Sequence, residues 1–120
     1  LCAARDALEP SARALLERTA ARIERWARLQ REALGAPALE QDGARTRLEW
    51  SPVGRAGCYA PGGRFPLPSS VLMTAVTARA AGVGEVWVAS PRPATVTLAA
   101  AAVAGADGLL AVGGAQAIAA

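Results

Sequence analysis

The sequence contains no histidine and no lysine, so all thirteen of its basic residues are arginines. Histidine is the commonest general base near neutral pH and a frequent metal ligand, and its absence removes most of the side-chain sets used in hydrolysis and zinc chemistry. Eight of the ten acidic residues lie before residue 50. The other two, Glu85 and Asp107, fall at the start of a predicted strand and in a predicted turn. We therefore predict no catalytic centre and no metal site within this chain.

Cysteines and long apolar runs are also scarce. Cys2 and Cys58 are far apart and lack the spacing of a metal site, which favours reduced, chemically idle thiols. No apolar run approaches the roughly 18 residues of a membrane span, so we expect no membrane partner and a cytoplasmic location. The net charge is only +3, and the arginines between residues 22 and 31 alternate with glutamates. This pattern indicates a solvated helix face rather than a nucleic-acid site.

The N-terminal third of the sequence is typical of a long helix followed by a linker. Glu9-Pro10-Ser11 predicts a helix start, and Gly35 after Leu34 predicts its end. The helix covers its own domain or contacts a second subunit. Its apolar stripe is predicted to consist of Ala12, Leu15, Thr19, Ile23, Trp26 and Ala33. We predict two parts: a helical arm with a polar linker over residues 1–44, and a partial α/β nucleotide-binding domain over residues 45–120.

The second part contains an internal repeat. Residues 81–89 align with residues 104–112 at an offset of 23, and in each copy a helix runs into a glycine and then a short apolar strand. Strands that are apolar along their whole length are typical of a parallel sheet buried on both faces. We predict strands at 55–60, 85–90 and 108–112, and helices at 69–81 and 94–104. The fold class is therefore α/β, with a parallel, doubly wound (Rossmann-like) sheet preceded by a long N-terminal helix.

Two glycine-rich turns stand where such a sheet binds ligands, beyond the carboxyl ends of its strands. The first contains Pro61, Gly62 and Gly63 after Tyr59, and the second precedes Gln116. Tyrosine offers a ring for stacking, and glutamine both donates and accepts hydrogen bonds. A glycine pair is also common in tight structural turns. On these residues alone, a nucleotide site and purely structural turns both remain open.

Three sequence motifs are more specific than the glycine pairs. They are RxGxYxPGGR over residues 55–64, PSSVLM over residues 68–73 and VGGAQAIAA over residues 112–120. In order and spacing, the sequence over about residues 48–120 resembles the histidinol dehydrogenase family. The resemblance indicates an N-terminal fragment of such an enzyme.

The resemblance implies a homodimeric enzyme of histidine biosynthesis that depends on zinc and oxidises L-histidinol to L-histidine with NAD. By match to the motifs, Tyr59 and Gln116 contact NAD, and Pro61, Gly62 and Gly63 shape the cofactor loop. The zinc ligands and the acid/base pair of the family match nothing in this chain, so the chain alone is expected to be inactive. The alternative is a stand-alone α/β nucleotide-binding or interaction module without catalysis.

Overall fold

The computed structural model describes residues 1–62, 64–114 and 117. The helices are α1 (Cys2–Asp6), α2 (Pro10–Ala33), α3 (Pro68–Val71), α4 (Thr77–Ala81) and α5 (Thr95–Val103), with a π-helical segment (Leu72–Val76) joining α3 to α4. The strands are β1 (Ala38–Gln41), β2 (Ala44–Arg47), β3 (Arg55–Tyr59), β4 (Glu85–Ala89) and β5 (Gly108–Leu110). Among the described helices, none is both long and apolar enough to cross a bilayer.

Helix α2 begins and ends within one residue of its predicted bounds, but its predicted apolar stripe is only partly correct: Ile23 packs against the core, and the larger residues Leu15 and Trp26 do not. Leu15 and Trp26 are 57% and 62% exposed, whereas Leu16 is 8% exposed and is buried together with Ala20 and Ala27. The buried positions follow the spacing i, i+4 and i+11, which is one face of a helix with 3.6 residues per turn. The sequence contains two apolar stripes on this helix, and packing against α4 and the π-helical segment selects the one through Leu16.

Residues 36–44, predicted to be a linker, instead contribute to an antiparallel hairpin of β1 and β2. Its two-residue loop is Asp42-Gly43, and both residues have positive φ, 51° and 78°. Asp-Gly is the favoured pair for such a loop, so the signal was present in the sequence. Every residue of both strands is exposed. Residue 45, where we predict the α/β part to begin, lies within β2, and the division into two parts stays a prediction.

The central sheet is parallel, in the order β3-β4-β5. Because each strand is added on the same side of the last, right-handed crossovers carry α3–α4 and α5 over the same face. Cys58, Val86 and Val88 point into that face and are buried in the core, whereas the alternate positions Gly57 and Trp87 are exposed. The α/β class, the parallel sheet and the long preceding helix are thus confirmed. Within the described chain, the helices cover one of the two faces of this sheet, and the other face is exposed.

The internal repeat is visible as two matching helix ends. Gly82 and Gly105 both adopt left-handed φ, 94° and 70°, and the residue after each donates a hydrogen bond to a carbonyl five residues back. Arg79 joins the two copies: its guanidinium donates to the carbonyls of Gly84 (2.7 Å) and Gly105 (2.9 Å) and to Asp107 Oδ2 (2.5 Å). This clamp ties both turns together at the amino edge of the sheet, opposite the loops described next.

Candidate functional site

Three loops meet at the carboxyl edge of the parallel sheet. They follow β3, β4 and β5 and comprise, among the described residues, 60–62 with 64–67, then 90–94, and then 111–114. Hydrogen bonding continues one residue beyond the strands, because Ala60 N–H donates to the Ala89 carbonyl (2.9 Å) and Ser90 N–H donates to the Leu110 carbonyl (3.0 Å). The beginnings of the first two loops are therefore fixed relative to the neighbouring strand ends. Ligands of open parallel sheets bind at this edge.

Pro91 is wedged between the first and third loops. A β-carbon added at Gly62 would lie 2.2 Å from the Pro91 carbonyl oxygen, and one added at Gly113 would lie 2.8 Å from the Pro91 ring carbons. Both distances are shorter than real β-carbon contacts, so a side chain at either position would force the loop or Pro91 to shift. Both glycine-rich turns predicted from the sequence therefore pack closely against Pro91.

The first two loops and the start of α5 enclose a small cleft of about 220 Å³, hereafter the Ser90 cleft. Its lining includes Pro61, Gly62, Arg64, Ser90, Arg92 and Thr97. Ser90 and Thr97 are the buried polar residues of this lining, and no acidic residue lines the cleft. The lining thus combines two arginines, two buried hydroxyl-bearing residues and the first turn of a helix.

The structure brings together part of the predicted cofactor set. Pro61 and Gly62 line the Ser90 cleft, and Tyr59 ends the strand that leads into them. Tyr59 is half-buried and lies on the opposite face of β3 from the buried Cys58. Its side chain is not part of the cleft lining. Gly63 and Gln116, the other two predicted cofactor residues, lie outside the described residues.

Sequence reasoning missed the second loop as a source of polar side chains. Ser90 follows a buried strand, and Pro91 and Pro93 on either side of Arg92 predict a rigid turn rather than a helix. That pattern could have suggested polar groups at the sheet edge. Nothing in the sequence could have indicated that Thr97, in the first turn of α5, would face the same cleft, because its direction depends on how α5 packs.

The described residues do not form a metal site, since they contain no group of three or more Cys, Asp and Glu side chains placed to hold an ion. A larger and mostly apolar groove of about 310 Å³ lies away from the sheet edge, between α2 and the segment Trp50–Val53. Its one charged lining residue, Arg31, already donates to the Ala80 carbonyl (3.2 Å). The Ser90 cleft, not this groove, is therefore the candidate for binding a polar ligand.

Comparison with known proteins gives a consistent result. A family model described as histidinol dehydrogenase matches residues 1–120. Histidinol dehydrogenase of Ralstonia nicotianae is 43% identical over 98% of this chain, and that of Nocardia farcinica is 44% identical over 99% of it. The crystal structure of histidinol dehydrogenase from Elizabethkingia anophelis superposes on 97% of the chain with a TM-score of 0.83 and 27% identity. The chain spans 28% of the length of each of these relatives.

Proposed function

Because the chain belongs to the histidinol dehydrogenase family, we propose that it forms part of an NAD-dependent enzyme that oxidises L-histidinol to L-histidine through the aldehyde. Conversion of a primary alcohol to a carboxylic acid removes four electrons and takes its second oxygen from water. NAD+ supplies the chemistry by accepting a hydride, which carries two electrons, so each histidine formed requires two NAD+. The homodimer and the cytoplasmic location implied by the family belong to the same proposal.

Zinc does not fit the residues of this chain. The sequence has no histidine, and the described residues contain no cluster of three metal-ligating side chains. We therefore assign the zinc ligands and the acid/base pair of the proposed enzyme to regions that correspond to no part of this sequence. The share of the relatives that the chain spans, 28%, leaves room for them.

The role we propose for this chain is to bind NAD+. The observation that carries it is that Tyr59, Pro61 and Gly62 lie together at the carboxyl edge of a parallel sheet, with two of the three lining a polar cleft. In the proposed complex, Tyr59 stacks on a ring of the dinucleotide, and the Pro61-Gly62-Gly63 turn forms the wall beside it. Gln116 completes the site by hydrogen bonding to the cofactor.

The proposal is tested in a full-length histidinol dehydrogenase that carries this sequence. Tyr59→Ala removes a stacking face worth about 1 kcal/mol or more, and Gln116→Ala removes a neutral hydrogen bond worth about 0.5–1.5 kcal/mol. We expect each substitution to raise the KM for NAD+ several-fold at saturating histidinol while the zinc content stays unchanged.

Tyr59→Phe is the matched control, because it keeps the aromatic ring and removes only the hydroxyl. It should retain a KM for NAD+ close to that of the wild type. If the residues only support turns, the alanine variants will instead melt at a lower temperature with an unaltered KM. That result would contradict the proposed cofactor site.

A further inference from the structure

One proline separates the two glycine-rich turns, and it faces each of them with different atoms. The atoms nearest to a β-carbon built at Gly62 are the Pro91 carbonyl oxygen and, at 2.7 Å, Pro91 Cγ. The atoms nearest to one built at Gly113 are all ring carbons, with Cβ and Cγ at 2.8 Å and Cδ at 3.2 Å. The pyrrolidine ring therefore lies between the first and third loops, and the carbonyl lies against the first.

The backbone conformation of the two glycines does not exclude a side chain. Neither Gly62 nor Gly113 has a positive φ, whereas Gly114 does. A negative φ is accessible to alanine as well as to glycine. Contact with Pro91, rather than a left-handed conformation, is therefore what a side chain at either position would disturb.

Pro91 itself has little freedom to move away from either turn. The Ser90 N–H donates to the Leu110 carbonyl (3.0 Å), which ties the start of this loop to β5. The proline ring fixes φ of its own residue. Pro93 disfavours the right-handed helical conformation for Arg92, whose φ is 47°. A ring without rotamers, on a backbone restricted from both sides, acts as a rigid spacer.

The two turns that Pro91 separates are the ones that carry the proposed cofactor contacts. The first turn follows Tyr59, and the second precedes Gln116 in the sequence. Pro91 is not part of the lining of the Ser90 cleft, so it acts on a ligand of this edge only through its neighbours. Because NAD+ contacts both turns in the proposed complex, their spacing decides whether one molecule reaches both contacts.

We infer that Pro91 is a positioning residue of the proposed NAD+ site. Its ring sets the distance between the two glycine-rich turns and thereby aligns the contacts that each turn brings to the cofactor. The inference rests on the proposed function, because it takes NAD+ as the ligand that spans both turns.

The first test is Pro91→Gly in the full-length enzyme, which removes the ring and keeps the carbonyl. Each turn then loses the surface against which it packs. We expect the Kd and the KM for NAD+ to rise about tenfold, while the KM for histidinol and the zinc content stay unchanged. Pro37→Gly is the matched control, because Pro37 is an exposed proline that precedes β1, away from the carboxyl edge. It should leave both NAD+ constants within about twofold.

The second test is rescue, since Pro91→Gly should rescue one alanine variant and not the other. The three atoms nearest to a side chain at Gly113 belong to the ring and are absent from Pro91→Gly. Adding Gly113→Ala should therefore cost less than about twofold in kcat/KM for NAD+, against about tenfold in the wild-type background. The carbonyl that opposes a side chain at Gly62 remains, so Gly62→Ala should keep most of its loss.

Pro91→Ala is the second variant should the glycine variant fail to fold. It removes Cγ and Cδ but keeps Cβ, so it should rescue Gly113→Ala in part and Gly62→Ala hardly at all. The melting temperature of every variant is measured beside the NAD+ constants, because a purely structural role for Pro91 would lower it without changing either constant.

The outcomes separate the inference from the function on which it rests. Tight NAD+ binding by the wild type, with Kd and KM unchanged in the Pro91 variants, overturns the inference and leaves the proposed function standing. Rescue of both alanine variants, or of neither, also overturns it, because the ring would then not be the spacer between the turns. A wild-type protein that does not bind NAD+ refutes the proposed function and with it this role of Pro91.

Discussion

Replacement of Gly62 by alanine tests the geometry of the candidate site most directly. The added β-carbon would lie 2.2 Å from the Pro91 carbonyl oxygen and 2.7 Å from Pro91 Cγ. Ordinary contact begins at 3.4 Å, so the loop and Pro91 must separate by about 1.2 Å. The closest atom belongs to the backbone, which hydrogen bonding of Ser90 to β5 holds in place. The loop, rather than the strand end, is therefore expected to move.

A shift of this size acts on binding more than on folding. Misplacement of a binding group by about 1 Å costs on the order of 100-fold in rate, or about 2.7 kcal/mol. We expect Gly62→Ala to lower kcat/KM for NAD+ by that factor in the full-length enzyme. Steady-state kinetics with NAD+ varied at saturating histidinol measures it, with zinc content and melting temperature as checks that the enzyme has folded.

Two other glycines supply a graded comparison. Gly113→Ala places its β-carbon 2.8 Å from ring carbons of Pro91, a smaller conflict, and should cost about tenfold. Gly35→Ala meets nothing within 4 Å and should leave kcat/KM within about twofold. Equal kinetics for the Gly62 and Gly35 variants would refute the argument that close packing around Pro91 positions the cofactor loop.

Two further predictions concern stability. The Val86 N–H, and after it the Arg79 guanidinium, lower the pKa of Asp107 below its ordinary value of 3.8. The charged carboxylate therefore stabilises the fold fully at pH values above 3.8. This contribution is lost as the pH falls through the lowered pKa of the folded state. The difference in melting temperature between wild type and Asp107→Asn should accordingly be full near neutrality and shrink in acid; a difference independent of pH would contradict this. Leu16→Ala should lower the free energy of unfolding of the 120-residue chain by about 2–4 kcal/mol, whereas Leu15→Ala should lower it by less than about 1 kcal/mol, because only Leu16 is buried. If chemical denaturation gives similar losses of unfolding free energy for the two variants, the stripe through Leu15 that the sequence predicts would be supported instead.

Local sequence signals were sufficient for most of the secondary structure. The Pro10 start and Gly35 stop predicted α2 within a residue, and the apolar runs predicted β3 and β4 almost to their ends. The glycines of the repeat predicted where α4 and α5 end. These signals are reliable because they act over a few residues, through helix capping and the left-handed φ of glycine, and do not depend on what packs nearby.

Other features were decided by contacts between distant segments. Leu15 and Leu16 are equally apolar neighbours, and only docking of α2 against α4 and the π-helical segment determined which of them is buried. The Arg28–Glu24 and Arg13–Glu17 ion pairs both join residues four apart on α2, and Arg13 also lies close to Asp6 at the end of α1. Spacing along the helix accounts for the two i, i+4 pairs, whereas the contact with Asp6 depends on how α1 approaches α2.

The sequence by itself determined the class of the fold, the family and the edge of the sheet at which a ligand is expected, because each depends on residues that follow one another in the chain. The tertiary structure decided the composition of the Ser90 cleft. Arg64, Ser90 and Thr97 come from a loop after β3, a loop after β4 and the first turn of α5, and they meet only because parallel strand pairing aligns those three segments at one edge. Convergence of side chains from separate loops is a property of the sheet, and no local pattern encodes it.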